Sequence, residues 1–142
     1  MKRLALGLAL ALVITDCGTL LEPTDLQGTW VATSIILTDA DDRTTSVDVV
    51  ADADVTLSLT IALNMYSVQL VNVSGMLEEY AGEYILDGSF ITLNGFRGED
   101  ARLGIEVDDD TMMRLNDAIT DFDVDGDGEG DIVIMDVFLT RQ

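Results

Sequence analysis

The sequence predicts an all-β protein, an antiparallel up-and-down meander that closes into a barrel of eight or nine strands. Residues 55–63 alternate aliphatic residues with small or polar ones, which is the period of a strand with one buried face. Short β-rich segments recur between Gly, Asn and Asp turns, and helical patterns are nearly absent. A sheet of many short strands loses its exposed edges most simply by closing.

Composition limits the classes of function. The chain has 142 residues, enough for one domain, and a net charge of −20. That charge repels phosphate backbones, so we expect no nucleic-acid partner. The sequence contains no His and a single Cys, Cys17, which excludes Ser-His-Asp triads, Cys–His pairs and zinc sites of the Cys/His type.

The N-terminal segment has the layout of an export signal. Lys2 and Arg3 precede an apolar run from Leu4 to Ile14, and Cys17 follows closely. The run is shorter than the about 20 residues that a membrane-spanning helix needs. We therefore predict a signal peptide at residues 1–16 rather than a permanent transmembrane anchor.

The end of this segment resembles the lipobox of bacterial lipoproteins. Ile14 and Cys17 match that pattern, whereas Asp16 stands where a small residue is usual. The resemblance implies that Cys17 is lipidated and anchors the protein in a membrane, on the extracytoplasmic side of the cell envelope. The predicted organisation is a signal peptide (1–16), a lipidated Cys with a tether (17–25) and a barrel domain (26–142).

The first strand begins at Gly28-Thr29-Trp30. Residues 29–37 are β-rich and end at an acidic turn over residues 38–42, and residues 46–50 form a short returning strand. The next strand spans Val55 to Leu63, and a very tight turn near Asn64 leads into an alternating strand over residues 66–73.

Gly-containing pairs divide the middle of the chain. Ser74-Gly75 and Ala81-Gly82 mark breaks. Asp87-Gly88 predicts a two-residue hairpin turn between strands at 83–86 and 89–93, because such a pair supplies positive φ angles. Asn94-Gly95 ends the next strand in the same way.

The last strands flank acidic segments. Residues 102–107 and 111–116 lie on either side of a turn at residues 108–110. Residues 132–140 are aliphatic on both phases, which indicates a strand covered on both faces or one at which the barrel closes.

Gly28 and Trp30 resemble the Gly-x-Trp start of the lipocalin-like families, and residues 82–93 resemble a hairpin common in small bacterial lipocalin-like lipoproteins. The resemblance implies that Trp30 packs across one end of the barrel, where Arg141 is placed late enough to lie on it.

The interior of such a barrel has two possible uses. Side chains of the alternating strand either fill it or surround a small apolar ligand. The residues expected to face inward are Val55, Leu57, Leu59, Ile61 and Leu63.

An acidic loop carries the clearest site chemistry. Asp123, Asp125, Asp127 and Asp131 resemble the calcium loops of FG-GAP and thrombospondin type 3 repeats, with Glu129 as the backbone-carbonyl ligand. Hard oxygen ligands at this spacing wrap one Ca²⁺, with a Kd of roughly 10⁻⁴ to 10⁻³ M for an open extracellular site. The alternative is a solvated acidic loop without an ion.

We therefore expect an exported, lipid-anchored lipocalin-like module with a structural Ca²⁺, which either binds a small apolar ligand or serves a structural role. The alternative is a calcium-stabilised surface or adhesion protein without a ligand cavity. Glu78, Glu79 and Glu83 are candidate paired acids for glycoside hydrolysis, but in so acidic a chain their proximity carries little information. We predict no catalytic residues and no enzymatic activity.

Overall fold

The computed structural model describes residues 20–142. The predicted signal peptide, Cys17 and the start of the tether lie outside these residues. The elements are α1 (Pro23–Leu26), β1 (Gly28–Asp39), β2 (Ser46–Asp48), α2 (Val49–Ala53), β3 (Thr56–Ala62), β4 (Met65–Val71), β5 (Leu77–Asp87), β6 (Phe90–Phe96), β7 (Glu99–Asp108), β8 (Met112–Phe122) and β9 (Asp131–Arg141).

The strands form a closed antiparallel barrel. From β3 to β9 each strand pairs with the next in sequence, and β1 pairs with both β3 and β9. Eight strands therefore complete the ring, and β2 is an additional strand on β1. The predicted up-and-down meander, its closure and the number of strands are confirmed.

β1 changes partner along its length. Its start, Gly28–Val31, pairs with β3, whereas Ile36–Thr38 pairs with β2. β9 covers the opposite edge of β1 from Trp30 to Asp39. This pairing makes β1 and β9 the seam at which the barrel closes.

The strand predicted over residues 46–50 ends two residues early. The Asp48 carboxylate accepts the backbone N–H of Val50 at 3.1 Å and so caps α2, which begins at Val49. A side chain that caps a helix favours helix initiation over continuation of the strand.

The barrel interior is filled with apolar side chains. Its largest fully buried members are Trp30, Leu26, Leu59, Ile61, Ile91, Met113, Leu139 and Val133. Of the residues expected to face inward, Val55 is also buried and Leu57 is partly buried against the core. The prediction that Leu63 faces inward is wrong. Leu63 is 73% exposed, because it lies in the tight β3–β4 turn with φ 54°.

Three of the predicted breaks differ from the structure. β5 continues through Ala81-Gly82, where the absent side chain of Gly82 leaves room for the Asn94 carbonyl. The β5–β6 turn consists of Gly88 and Ser89, one residue later than predicted, because Asp87 still pairs with Phe90.

Asn94-Gly95 does not end β6. Leu93 pairs with Ala101 and Phe96 with Glu99, so Asn94 and Gly95 form a bulge opposite a single residue. Gly95 has φ 72°, as a bulge of this kind requires. The turn itself lies at residues 97–98.

β8 is longer than the prediction, which ended at Asn116. A register shift between Leu115 and Ala118 interrupts its alternation, and Asp117 has φ 62° there. The turn predicted at residues 108–110 lies at residues 109–111, because Asp108 still pairs with Met112. Within residues 20–142, no helix has the length and apolarity needed to cross a membrane.

Candidate metal centre

The acidic loop connects β8 to β9 at one end of the barrel. Phe122 pairs with Asp131, so residues 123–130 form the whole connection. Gly126 and Gly128 have φ 78° and 91°, in the left-handed region that favours glycine. Each allows the chain to turn between consecutive acidic residues.

Three of the predicted ligands converge. One carboxylate oxygen from each of Asp123, Asp125 and Asp131 lies within 4.8 Å of the other two. Three carboxylates at this separation repel one another, and hard oxygen donors are the ligands that Ca²⁺ prefers. The donor set therefore fits Ca²⁺ chemically.

Backbone hydrogen bonds hold two of these carboxylates. The two oxygens of Asp123 accept the N–H groups of Gly126 and Gly128 at 2.7 and 3.0 Å. Asp131 Oδ2 accepts the N–H of Val124 at 3.1 Å, which ties the two ends of the loop together.

The Asp127 carboxylate, another predicted ligand, is not part of this convergent group of side chains. Asp127 Oδ1 accepts the N–H of Glu129 at 2.8 Å, a local turn within the loop. The Asp121 carboxylate, a neighbour on β8, lies against Gly130: a Cβ at residue 130 would come within 2.0 Å of Asp121 Oδ1. The observed group is thus Asp123, Asp125 and Asp131.

The opposite end of the barrel is closed by Trp30, which is fully buried. Its indole N–H donates to the carbonyl of Leu26 at 2.8 Å. Arg141 Cζ lies 4.5 Å from the centroid of the Trp30 ring, and Arg141 Nη2 donates to the carbonyl of Asp25. Gly28, beside the aliphatic part of Arg141, has φ 136°, a conformation that favours glycine.

A polar network that was not predicted lies at the end of the barrel that carries the acidic loop, beside the β4–β5 connection. Glu78 accepts hydrogen bonds from the Tyr80 hydroxyl at 2.6 Å and from Asn72 Nδ2 at 2.9 Å, and Arg97 Nη2 lies 3.4 Å from it. The pKa of Glu78 is lowered, mainly by the hydrogen bond from Tyr80. The hydrogen bond from Asn72 and the charge of Arg97 lower it further. The parity of β5 was an available signal, because Glu78 shares the inward phase of Tyr80 and Tyr84.

The candidate paired acids do not face one another. Glu78 lies on the inward phase of β5, whereas Glu79 and Glu83 are exposed on the outward phase. Glu79 accepts a hydrogen bond from Gln69 at 2.8 Å. Adjacent residues of a strand point to opposite faces, so Glu78 shares a face with neither Glu79 nor Glu83.

Two shallow, open depressions lie on the outer wall of the part of the barrel that the structure describes. One, of about 210 Å³, is beside Met112 and Phe138, and the other, of about 190 Å³, is beside Phe90 and Gly104. Both are lined mainly by outward-facing side chains.

The barrel is a closed eight-stranded antiparallel meander with the Trp30 side chain buried at one end. Among solved structures, the chain is similar to a lipocalin-like protein from Bacteroides uniformis. The identity is 19% over 78% of this chain and 97% of that chain, with a TM-score of 0.46. No protein-family model matches the sequence, and no curated protein matches it as a relative.

Proposed function

We propose that this protein is an exported, lipid-anchored lipocalin-like module, with a binding or structural role, whose β8–β9 loop binds a structural Ca²⁺. The observation that carries the proposal is the convergence of Asp123, Asp125 and Asp131 within 4.8 Å at the junction of the last two strands. Calcium there would offset the repulsion among the carboxylates and order the entry into β9.

The stabilisation reaches the barrel through β9. Asp131 is both a member of the convergent group and the first residue of β9, which pairs with β8 on one side and β1 on the other. An ion bound to Asp131 would fix the register at which both pairings begin. This is how a loop ion would stabilise the closed ring.

Lipidation of Cys17 would place the membrane near the plugged end of the barrel. Leu20, the first described residue, lies three positions after Cys17, and α1 contacts that end through the Asp25 and Leu26 carbonyls. The acidic loop, at the opposite end, would face away from the anchor, on the extracytoplasmic side of the envelope.

The filled interior favours the second candidate, a calcium-stabilised surface or adhesion protein without a ligand cavity. Trp30, Leu59, Ile61 and Ile91 occupy the space that an apolar ligand would need. Native mass spectrometry, together with titration of a fluorescent fatty acid, separates the two roles. A co-purified apolar molecule or saturable uptake would establish the ligand-binding role instead.

Calcium binding is tested by thermal unfolding of the purified, chelator-stripped protein. We expect CaCl₂ to raise the melting temperature saturably, and NaCl of equal ionic strength not to do so. At a concentration about ten times the Kd, one ion contributes about 1.4 kcal/mol, which corresponds to a few °C.

Two variants localise the effect. Asp125→Asn with Asp131→Asn removes two members of the convergent group, and Asp127→Asn with Glu129→Gln removes two charges from the same loop outside that group. We expect only the first pair to abolish the calcium response. If both pairs respond to CaCl₂ as the parent does, the effect is screening and the loop is a solvated turn.

A further inference from the structure

An aliphatic cluster lies on the outer wall of the barrel, on β8 and β9. Ile119 is 75% exposed and Ile132 is 65% exposed. Ile119 is the cross-strand partner of Ile134, which is partly exposed. Ile132 lies two residues before Ile134, so all three project from the same face of the sheet. We refer to these residues as the isoleucine cluster.

Strand stability does not account for the whole cluster. A cross-strand pair of β-branched residues such as Ile119 and Ile134 stabilises a sheet modestly. Ile132 has Asp121 as its cross-strand partner on β8, so it gains no such contact there. Its side chain is left in solvent beside a carboxylate.

Carboxylates frame the isoleucine cluster. Asp121 is paired with Ile132. Asp136, two residues after Ile134 on the same phase of β9, forms an ion pair with Arg114 at 3.2 Å, so it does not belong to the acidic frame. The acidic loop, residues 123–130, continues directly from this end of both strands. The surface is therefore an apolar centre within an acidic frame.

This charge pattern selects among occupants. A second copy of the chain would bring another frame of carboxylates, on a protein of net charge −20, against the first. An anionic bilayer would repel the frame in the same way. A basic polypeptide with aliphatic side chains satisfies both the centre and the frame.

We propose that the isoleucine cluster is a docking surface for a basic protein segment that presents aliphatic side chains at its centre and Lys or Arg around them. Aliphatic contact with Ile119, Ile132 and Ile134 supplies the apolar burial, and the surrounding carboxylates select positive charge. β9 pairs with β8 and with β1, so recognition through Ile132 and Ile134 uses side chains. The pairing of β8 with β7 ends at Asn116, so the edge of β8 beside Ile119 faces no partner strand within residues 20–142.

The test uses an amphipathic helical peptide of Lys and Leu as the probe, at physiological ionic strength. A peptide of equal Lys content with each Leu replaced by Ser reports the contribution of charge alone. Binding to the purified full-length protein is measured by fluorescence anisotropy. We expect the Lys/Leu peptide to bind. We expect the affinity of the Lys/Ser peptide to be lower by about tenfold or more.

Matched variants localise the site. Ile119→Thr with Ile132→Thr removes the two most exposed members and keeps β-branched residues in the strands. Met65→Thr with Ile85→Thr replaces two exposed apolar residues by Thr at outward positions of β4 and β5, which are 45% and 57% exposed. We expect the first pair to weaken binding about tenfold and the second to leave it within about twofold.

Four results would overturn the proposal. The first is absence of binding to the Lys/Leu peptide, and the second is equal affinity for the two peptides. The third is equal affinity of the two variant pairs for the Lys/Leu peptide. The fourth is self-association of the parent protein that is lost in the variant with Ile119→Thr and Ile132→Thr. The last would assign the surface to a second copy. Circular dichroism of each variant checks that the barrel is retained.

Discussion

Glu78 is a carboxylate on the inward phase of the barrel wall, with three polar partners. Its side chain is 21% exposed, and Tyr80, Asn72 and Arg97 surround it. Tyr80 also packs on Phe96, with ring centroids 4.9 Å apart. The network links the β4–β5 connection to the β6–β7 turn, so the charge of Glu78 holds two separate connections at one mouth of the barrel.

Replacement of Glu78 by Gln tests this link through pH. The folded-state pKa of Glu78 is lowered, so its charge stabilises the protein at pH values above the ordinary Glu pKa of 4.5. This contribution is lost as pH falls through the lower, folded-state pKa. We expect Glu78→Gln to be the less stable protein at neutral pH, and the difference in free energy of unfolding to shrink below about pH 4.

The control for that measurement is Glu79→Gln, which removes one charge from the adjacent, outward-facing position. Urea unfolding of the three proteins between neutral and acid pH gives the comparison. A difference between Glu78→Gln and the parent that is independent of pH would contradict the role of the charged network.

At the scale of elements, Asp48 joins three segments. It lies at the end of β2, caps α2, and accepts hydrogen bonds from the Ser34 hydroxyl at 2.6 Å and the Ile35 N–H at 3.1 Å on β1. The Ser34 hydrogen bond is the main cause of its lowered pKa, and the backbone donors add to it. The Asp48 carboxylate therefore accepts hydrogen bonds from the part of β1 that lies between its β3-paired stretch and its β2-paired stretch.

We expect Asp48→Ala to destabilise the protein by about 1–3 kcal/mol, because it leaves the Ile35 N–H without its acceptor and removes the cap of α2. Asp52→Ala, at an exposed position within the same helix, is the matched control. Chemical denaturation measures both changes. Equal stabilities for the two variants would contradict the role assigned to Asp48.

The element order followed from local pattern, whereas exact boundaries depended on pairing between distant strands. Asn94-Gly95 correctly signalled a positive φ, but only the pairing of Phe96 with Glu99 makes it a bulge rather than a turn. The bulge around Asp117 likewise breaks the alternation of β8, so the strand was predicted to end before its second half. A pattern of period two cannot show where one strand gains a residue over its partner.

The candidate metal centre could likewise be predicted only in part. The spacing of acids located the loop, but not which carboxylates converge. Asp123 and Asp131 accept backbone hydrogen bonds across the loop. Asp125 and Asp127 each accept one from the residue two positions later, yet only Asp125 joins the convergent group. The sequence contains no signal that separates Asp125 from Asp127, because all four predicted carboxylate ligands are Asp.

At the scale of the whole molecule, the two ends of the barrel domain meet at the plugged end. Arg141 contacts the Trp30 ring and the Asp25 carbonyl, and the Gln142 N–H donates to the Thr29 carbonyl at 2.9 Å. The helical turn α1 is held against the barrel by these contacts and by the buried Leu26. The last residues of the chain thus fix the position of the first element.

We expect Arg141→Met to destabilise the protein by about 1–3 kcal/mol and to increase hydrogen exchange in α1, since Met keeps apolar length but loses the cation–π contact and the hydrogen bond to Asp25. Arg102→Met is the matched control: Arg102 Cζ lies 4.1 Å from the Phe90 ring centroid, but its side chain is 60% exposed on the outer wall. Unchanged exchange in α1 would contradict this role of Arg141.

The seam between β1 and β9 has a consequence for the order in which the protein folds. The pairings from β3 through β9 are local hairpins, whereas the seam joins distant residues such as Thr33 and Phe138, which lie 105 positions apart along the chain. Forming such a contact costs the most loop entropy, so we expect the ring to close last. Until it does, β1 and β9 are free edges, and the nascent barrel is open to pairing with another chain.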